Sequence, residues 1–254
     1  TNDEISRLTG SFNKMLSRLD DAFTAQKQFS ASAAHELRTP LAVMQTNLEV
    51  FARKKTPTIE EYQDIFGMIQ NQTERLSHLS EVLLDMTGIQ SVERSDFISL
   101  AELTDEVCCD LASIADQKKV ELIQEEGDCT VTGSYLLLYR AVYNLVENAI
   151  KYNHSGGKVT VKISQTKALS AAHSKPTDYA LVEVTDTGIG ISPEFQEKIF
   201  DPFFRVDKSR SRAMGGAGLG LALVNEIARQ HGGQVKVLAS SEQGSTIALV
   251  LPLS

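Results

Sequence analysis

The chain has 254 residues, 42% hydrophobic and 23% charged, a balance that suits one large or two ordinary globular domains and excludes a disordered, collagen-like or disulfide-stapled chain. Its 25 basic and 33 acidic residues leave a net charge of -8, the wrong sign for holding nucleic acid through an overall field, so any phosphate must be gripped locally. Three cysteines without metal-type spacing predict a reducing compartment and no structural zinc, and no apolar run reaches the roughly 20 residues that span a bilayer.

From Ile5, apolar residues recur at steps of three and four through Leu8, Phe12, Met15, Leu19 and Phe23. After polar interruptions at Gln26 and Ser30 the pattern resumes at Ala33, Leu37, Leu41, Met44, Leu48 and Phe51. This is a helical seam of coiled-coil type, and because the chain opens inside it without a Met, it reads as a piece of a longer protein. Arg53 to Thr58 breaks the seam, and Thr58 with Glu61 is a capping box for a second helix carrying Tyr62, Phe66, Ile69, Leu76, Leu79, Leu83 and Met86. A lone helical hairpin leaves its seam partly wet, so a second copy is expected to complete a dimeric four-helix bundle.

The pattern changes near Ser91. Ser99 and Glu102 form another capping box, opening a helix whose face carries Leu103, Val107, Leu111 and Ile114. Strand-like runs follow at Val120 to Gln124, Lys158 to Ser164, Ala180 to Thr185, Gln234 to Leu238 and Thr246 to Leu251. Helical stretches lie between them at Ser134 to Tyr152, Pro193 to Phe200 and Leu219 to His231, and Gln165 to Asp178 reads as a hairpin loop. The mixture predicts an α+β layer of helices on one sheet.

Five groups of residues carry chemistry. His35-Glu36-Leu37-Arg38-Thr39-Pro40 lies on the first helix with His35 off the seam, facing solvent. Thr39 stands one turn away, where a zinc protease would need a second histidine. Pro40 has no N–H for the carbonyl of Glu36, and an exposed neutral imidazole beside a carboxylate is a competent nucleophile. Asn144, Asn148 and Lys151 form a polar stripe on a later helix: oxygen ligands for a magnesium ion that bridges phosphates, and a cation for a phosphate. Asp186-Thr-Gly188-Ile-Gly190 follows a strand, where Asp186 is suited to accept from the exocyclic amine of an adenine and the glycines leave room for the ring. Gly215 to Leu221 precedes a helix, where backbone N–H groups close on phosphate oxygens, yet it is neither a Walker A loop nor a Rossmann turn. Between the two glycine segments, Phe200 to Arg205 followed by Lys208, Arg210 and Arg212 reads as a lid hinged on Phe203 and Phe204.

Taken in order, His35 to Pro40, Asn144 to Tyr152, Asp186 to Gly190, Phe200 to Phe204 and Gly216 to Gly220 resemble the H, N, G1, F and G2 boxes of sensor histidine kinases. The likeness covers residues 25 to 254, and residues 1–24 are similar to the end of a HAMP signalling helix. It implies a HisKA dimerisation and phosphotransfer hairpin over residues 25–90 and an α+β Bergerat-fold ATP-binding sandwich over residues 91–254. It implies that Asn144 and Asn148 hold Mg2+, that Lys151 meets a phosphate and that Tyr152 flanks the adenine read by Asp186. The backbone of Gly216, Gly218, Leu219 and Gly220 would cap the phosphates, although Ala217 stands where that family often carries a small hydroxyl residue. By the same resemblance His35 attacks the γ-phosphate with Glu36 as general base, and the phosphate passes to an aspartate on a response regulator receiver domain. Glu36 and Thr39 match the pattern by which such kinases dephosphorylate their partner. The expected partners are therefore a second copy, ATP or ADP and a response regulator, with no nucleic acid. The chain would be the cytoplasmic portion of a cell-membrane protein, meeting the membrane only through an upstream segment. Two other readings stay open on the residues alone: a Bergerat-fold ATPase that forms no phosphohistidine, and an adaptor dimer with a non-catalytic nucleotide pocket.

Overall fold

The structure is a computed structural model, and it describes residues 2–89, 92–169, 176–206 and 217–253. The chain separates into two compact units, Thr1–Leu79 and Ser80–Ser254.

The first unit is helical. Helix α1 runs unbroken over Asn2–Ala52, 51 residues with Pro40 inside it, and α2 covers Ile59–Gly88, its last turns belonging to the second unit. Gln26 and Ser30 interrupt the apolar pattern without interrupting the helix. The capping box forms as expected: Thr58 N donates to the Glu61 carboxylate at 3.1 Å and Glu61 N donates to Thr58 Oγ1 at 3.2 Å. Lys54 pairs with that carboxylate at 2.6 Å, and its hydrogen bond holds Glu61 below the usual glutamate range. Phe51 and Tyr62 meet edge to face across the loop, with ring centroids 5.0 Å apart. Within a single chain the seam stays open. Phe12, Met15, Leu19, Phe23, Leu41, Leu48, Tyr62 and Phe66 are each between 45% and 68% exposed.

In the second unit five strands form one sheet: β2 (Glu121–Gln124), β4 (Lys158–Leu169), β5 (Pro176–Asp186), β6 (Gln234–Ser241) and β7 (Gly244–Pro252). Their order is β2-β4-β5-β7-β6, with β2 parallel to β4 and the other pairs antiparallel. Helices α3 (Leu100–Lys118), α4 (Tyr135–Lys151) and α5 (Gly220–Gln230) pack against it, α4 between the other two. The two-residue period of the strands turns Val159, Val161 and Ile163 to one face, with Ala180, Val182 and Val184 beside them and Leu249 and Leu251 next in register. They form the core with Leu103, Val107, Leu111, Leu138, Val142, Leu145, Leu223 and Ile227, all at most 2% exposed. Each such aliphatic side chain contributes about 1.5–3 kcal/mol by leaving water.

The structure corrects several expectations. Ile114 is 39% exposed and Ala115 takes its place in the core, because the buried stripe of α3 drifts by one residue. Pro193 to Phe200 forms two short 3-10 turns, Pro193–Phe195 and Lys198–Phe200, instead of one helix. Most of the expected loop over Gln165 to Asp178 is strand, paired from Gln165 with Ala180 to Leu169 with Pro176, and residues 170–175 lie outside the described residues. A two-stranded antiparallel sheet of β1 (Asp96–Ser99) and β3 (Thr130–Gly133) was not anticipated.

The helix ends in this unit are finished by their neighbours. Ser99 Oγ accepts from Glu102 N at 3.2 Å, but Asp128, not Glu102, completes the cap by accepting from Ser99 Oγ and Ala101 N, both at 3.1 Å. Ser134 does not cap α4 with its side chain. Instead Asp96 accepts from Tyr135 N at 3.2 Å and His231 Nε2 accepts from Ser134 N at 3.1 Å. Since Nε2 accepts, the ring proton sits on Nδ1, which donates to Ile227 O at 2.8 Å. Burial pushes the His231 pKa down, which favours this neutral form. The last turns of α2 are also tied in: Arg140 of α4 pairs with Asp85, and Arg94 donates to Ile89 O at 2.6 Å and Gln230 Oε1 at 3.3 Å.

Candidate functional site

The second unit gathers four of the segments singled out in the sequence. The amphipathic register of α4 buries Leu138, Val142, Leu145 and Ala149 and leaves Asn144, Asn148 and Lys151 half-buried on the adjoining stripe. Asn144 Nδ2 donates to Arg140 O at 2.9 Å, which turns Oδ1 away from that carbonyl. A Cβ on Gly220, at the start of α5, would lie 2.5 Å from Asn144 Oδ1 and 3.6 Å from Asn148 Nδ2. The asparagine stripe and the N-terminus of α5 therefore meet, and a side chain at Gly220 would displace the Asn144 amide.

At the C-terminus of α4, Tyr152 O accepts from Ile189 N at 3.3 Å, and a Cβ on Gly188 would lie 2.4 Å from that same oxygen. Asp186 stands at the end of β5, with Oδ1 accepting from Gly188 N at 2.7 Å. Burial raises its pKa, while the N–H groups of Gly188 and Ser245 oppose the rise. Gly190 adopts φ of 69°, the left-handed region, beside Ser241. Side chains brace this turn. Thr187 Oγ1 accepts from Lys158 N at 2.9 Å and donates to Asn153 Oδ1 at 3.2 Å, and Ser240 Oγ accepts from Ile191 N at 2.7 Å. Thr187 belongs to the quoted motif, but its bracing role and that of Ser240 depend on partners far away in the chain, which no local pattern marks.

Phe203 N donates to Gly218 O at 2.8 Å, joining the aromatic segment to the second glycine segment. Phe203 has φ of 65° and Gly218 φ of 73°, and a Cβ on Gly218 would meet Phe204 O at 2.7 Å. Left-handed backbone at a residue such as Phe203 costs energy and persists where surrounding structure enforces it. Phe204 packs on Phe195, with centroids 5.7 Å apart. Leu219 is 1% exposed, so its side chain belongs to the core and only its backbone is available to a ligand. Gly216, like Lys208, Arg210 and Arg212 of the expected lid, lies outside the described residues. Burial lowers the pKa of Lys151; Arg205 and Lys118 add to the effect and Glu147 opposes it, so Arg205 lies within electrostatic reach of Lys151. Two cations, the N-terminus of α5 and the asparagine amides, with a carboxylate beside a glycine turn, suit a nucleotide with a chain of phosphates. Among the described residues no cluster of three His, Cys, Asp or Glu is present, so a cation here would need phosphate oxygens to complete its ligands.

The first unit displays His35. It is exposed on α1 and opens onto a groove of about 460 Å3 that also involves Arg38, Thr39, Ala42, Val43, Thr46 and Asn47. Thr39 Oγ1 donates to the carbonyl of His35 at 3.1 Å, so hydroxyl and imidazole share a turn without bonding to each other. The Glu36 carboxylate is half-buried, 3.5 Å from Arg75 Nη2 of α2. The sequence candidates thus fall into two sets: His35, Glu36 and Thr39 in one unit, and the described nucleotide candidates in the other.

Comparison with known proteins matches the same two regions. Residues 25–91 match the family model of the His Kinase A (phospho-acceptor) domain, and residues 133–254 match that of the histidine kinase-, DNA gyrase B- and HSP90-like ATPases. Sensor histidine kinase CusS of Escherichia coli is 32% identical over 255 residues, covering 98% of this chain and 50% of CusS. The chain spans about half the length of the curated relatives it matches. Among solved structures, Acinetobacter baumannii histidine kinase AdeS aligns with a TM-score of 0.63 and 22% identity over 87% of this chain and 98% of that one. Histidine kinase ThkA, solved in complex with response regulator protein TrrA, aligns with a TM-score of 0.67 and 22% identity over 92% of this chain and 64% of that one. Both structural likenesses speak to the fold.

Proposed function

Because the chain belongs to the sensor histidine kinases, whose phospho-acceptor and ATP-binding domains it carries in order, we propose that it phosphorylates itself on His35 with ATP and passes the phosphate to an aspartate of a response regulator. The observation that carries this reading is the division of labour in the chain. One unit assembles a site suited to nucleotide from Asn144, Asn148, Lys151, Asp186 and Gly218, and the other exposes an imidazole beside a carboxylate.

In the reaction a neutral ring nitrogen of His35 attacks the γ-phosphorus, the bond to the bridging oxygen breaks, ADP departs and the ring proton passes to Glu36. Little covalent work falls to the protein, so the rate comes from positioning and charge neutralisation. Lys151 and the N–H groups at the start of α5 hold phosphate oxygens, Asp186 accepts from the adenine amine, and Tyr152 and Phe203 border the base and its cover. Asn144 and Asn148 would hold Mg2+, which supplies further neutralisation of phosphate charge when bound. Arg75 Nη2 lies 3.5 Å from the Glu36 carboxylate and restrains its position on the helix. Thr39 shares a turn with His35 and is placed to orient water for dephosphorylation of the partner once its hydroxyl leaves the His35 carbonyl.

A second copy of the chain is the partner that covers the apolar residues left exposed on α1 and α2, and a response regulator is the second partner, as TrrA is for ThkA. No helix among the described residues is long and apolar enough to cross a membrane. Use of ATP places the chain on the cytoplasmic side of a membrane sensor.

Incubation with γ-labelled ATP and magnesium tests the reading. Label is expected that is acid-labile, alkali-stable and absent from His35→Gln. ATP hydrolysis without such label would favour an ATPase that forms no phosphohistidine, and nucleotide binding without turnover would favour an adaptor.

A further inference from the structure

Lys118, on the last turn of α3, is half-buried, and its ammonium donates to the carbonyls of Ile150 at 3.2 Å and of Lys151, both on the last turn of α4. The last carbonyls of a helix have no partner within it, and a cation beside them is favoured by the helix dipole. The rest of this helix end is held from other directions. Tyr152 N donates to Asn148 O at 2.9 Å and Asn153 N to Ile150 O at 3.3 Å, while Tyr152 O accepts from Ile189 N at 3.3 Å. The neighbouring turn is stitched to the end of α3 by Gly156 N, which donates to Lys119 O at 2.7 Å. Lys151 and Tyr152 therefore sit between an ammonium behind them and the Asp186 to Gly190 turn in front.

We propose that Lys118 is a positioning residue for the nucleotide: by gripping the carbonyls of Ile150 and Lys151 it fixes the end of α4 that presents the Lys151 amine and the Tyr152 ring. This rests on the reading of the site as an ATP site. Lys118 touches no phosphate and acts through the backbone of Lys151. Burial of its own amine and its repulsion of Lys151 show that the two cations are held close at an electrostatic cost, which a purely solvated surface lysine would not bear.

Calorimetric ATP binding, the ATP dependence of His35 labelling and thermal melting of wild type, Lys118→Met, Lys118→Arg and Lys151→Met test the assignment. Lys118→Met is expected to raise Kd and KM for ATP roughly tenfold, the scale of one lost charge-assisted hydrogen bond, with kcat little changed. Lys118→Arg, which keeps charge and donors, is expected to restore most of the affinity. Should Lys118→Met not fold, Lys118→Gln, a neutral donor of similar reach, takes its place. An unchanged Kd in the folded variant, or a loss that Lys118→Arg leaves in place, would overturn the proposal. Wild type that binds ATP and loses it in Lys151→Met but not in Lys118→Met sinks the role of Lys118 alone. Wild type that binds no ATP sinks the nucleotide reading with it.

Discussion

His231 shows how much one side chain can organise. Its ring accepts from the backbone at the start of α4 and donates to the backbone of α5, so the helix that carries the asparagine stripe and the helix whose N-terminus faces it share one imidazole. Protonation puts a hydrogen on Nε2 and breaks the bond from Ser134 N. Burial, with Arg94 nearby, holds the folded pKa below the unfolded one, so the unfolded chain binds the proton first. The stability His231 supplies is therefore present in full above the unfolded value of about 6.5 and is lost as the pH falls from there through the lowered folded value. Melting temperatures between about pH 7.5 and 5 should fall in wild type more steeply than in His231→Gln, whose amide does not titrate. Nothing local in the sequence marks this residue, because both its partners are main-chain groups and one lies 97 positions away. His35, by contrast, was legible from its own turn: position off the seam, neighbouring carboxylate, hydroxyl and proline are all encoded within six residues.

Elements with strong periodicity were legible, and of the four-residue strands β2 was read while β1 and β3 were not. The central helix α4, the strands β4, β5 and β7 and the Thr58 cap carry their reasons within one local window. The β1–β3 pair has four residues per strand and depends on a partner more than thirty positions away, so alternation had too few residues to show it. The continuation of β4 through polar Gln165 and Thr166 is set by pairing with β5, which no single-strand pattern reveals. At the end of α3, Lys119 closes the helix with φ of 57° and donates its N–H to Ala115 O and Asp116 O, a position where glycine is usual. Relief of left-handed strain in Lys119→Gly outweighs the added freedom of the unfolded chain, for an expected net gain of about 0.5–1 kcal/mol. Urea denaturation of the second unit checks this, the midpoint moving up with an unchanged slope.

For the whole chain, the proposed nucleophile and the proposed nucleotide residues belong to different units, so the proposed reaction requires the two to meet. Asp85, Ile89 and Arg94 all bond inside the second unit. The proposed dimer rests on an excess of apolar residues over what one hairpin covers. Phe66 is 67% exposed on α2, and Phe66→Glu, which sets a charge against its twin across a two-fold seam, is expected to turn dimer into monomer in sedimentation equilibrium while the second unit still melts as in wild type. Helix α1 gives such an assembly its reach. At 1.5 Å per residue its 51 residues extend about 75 Å, and the only backbone hydrogen bond that its sequence forbids is the one from Pro40 to the carbonyl of Glu36. Were a torque applied at the far end of so long a shaft, the turn that lacks this hydrogen bond, next to His35, is where the helix would yield first.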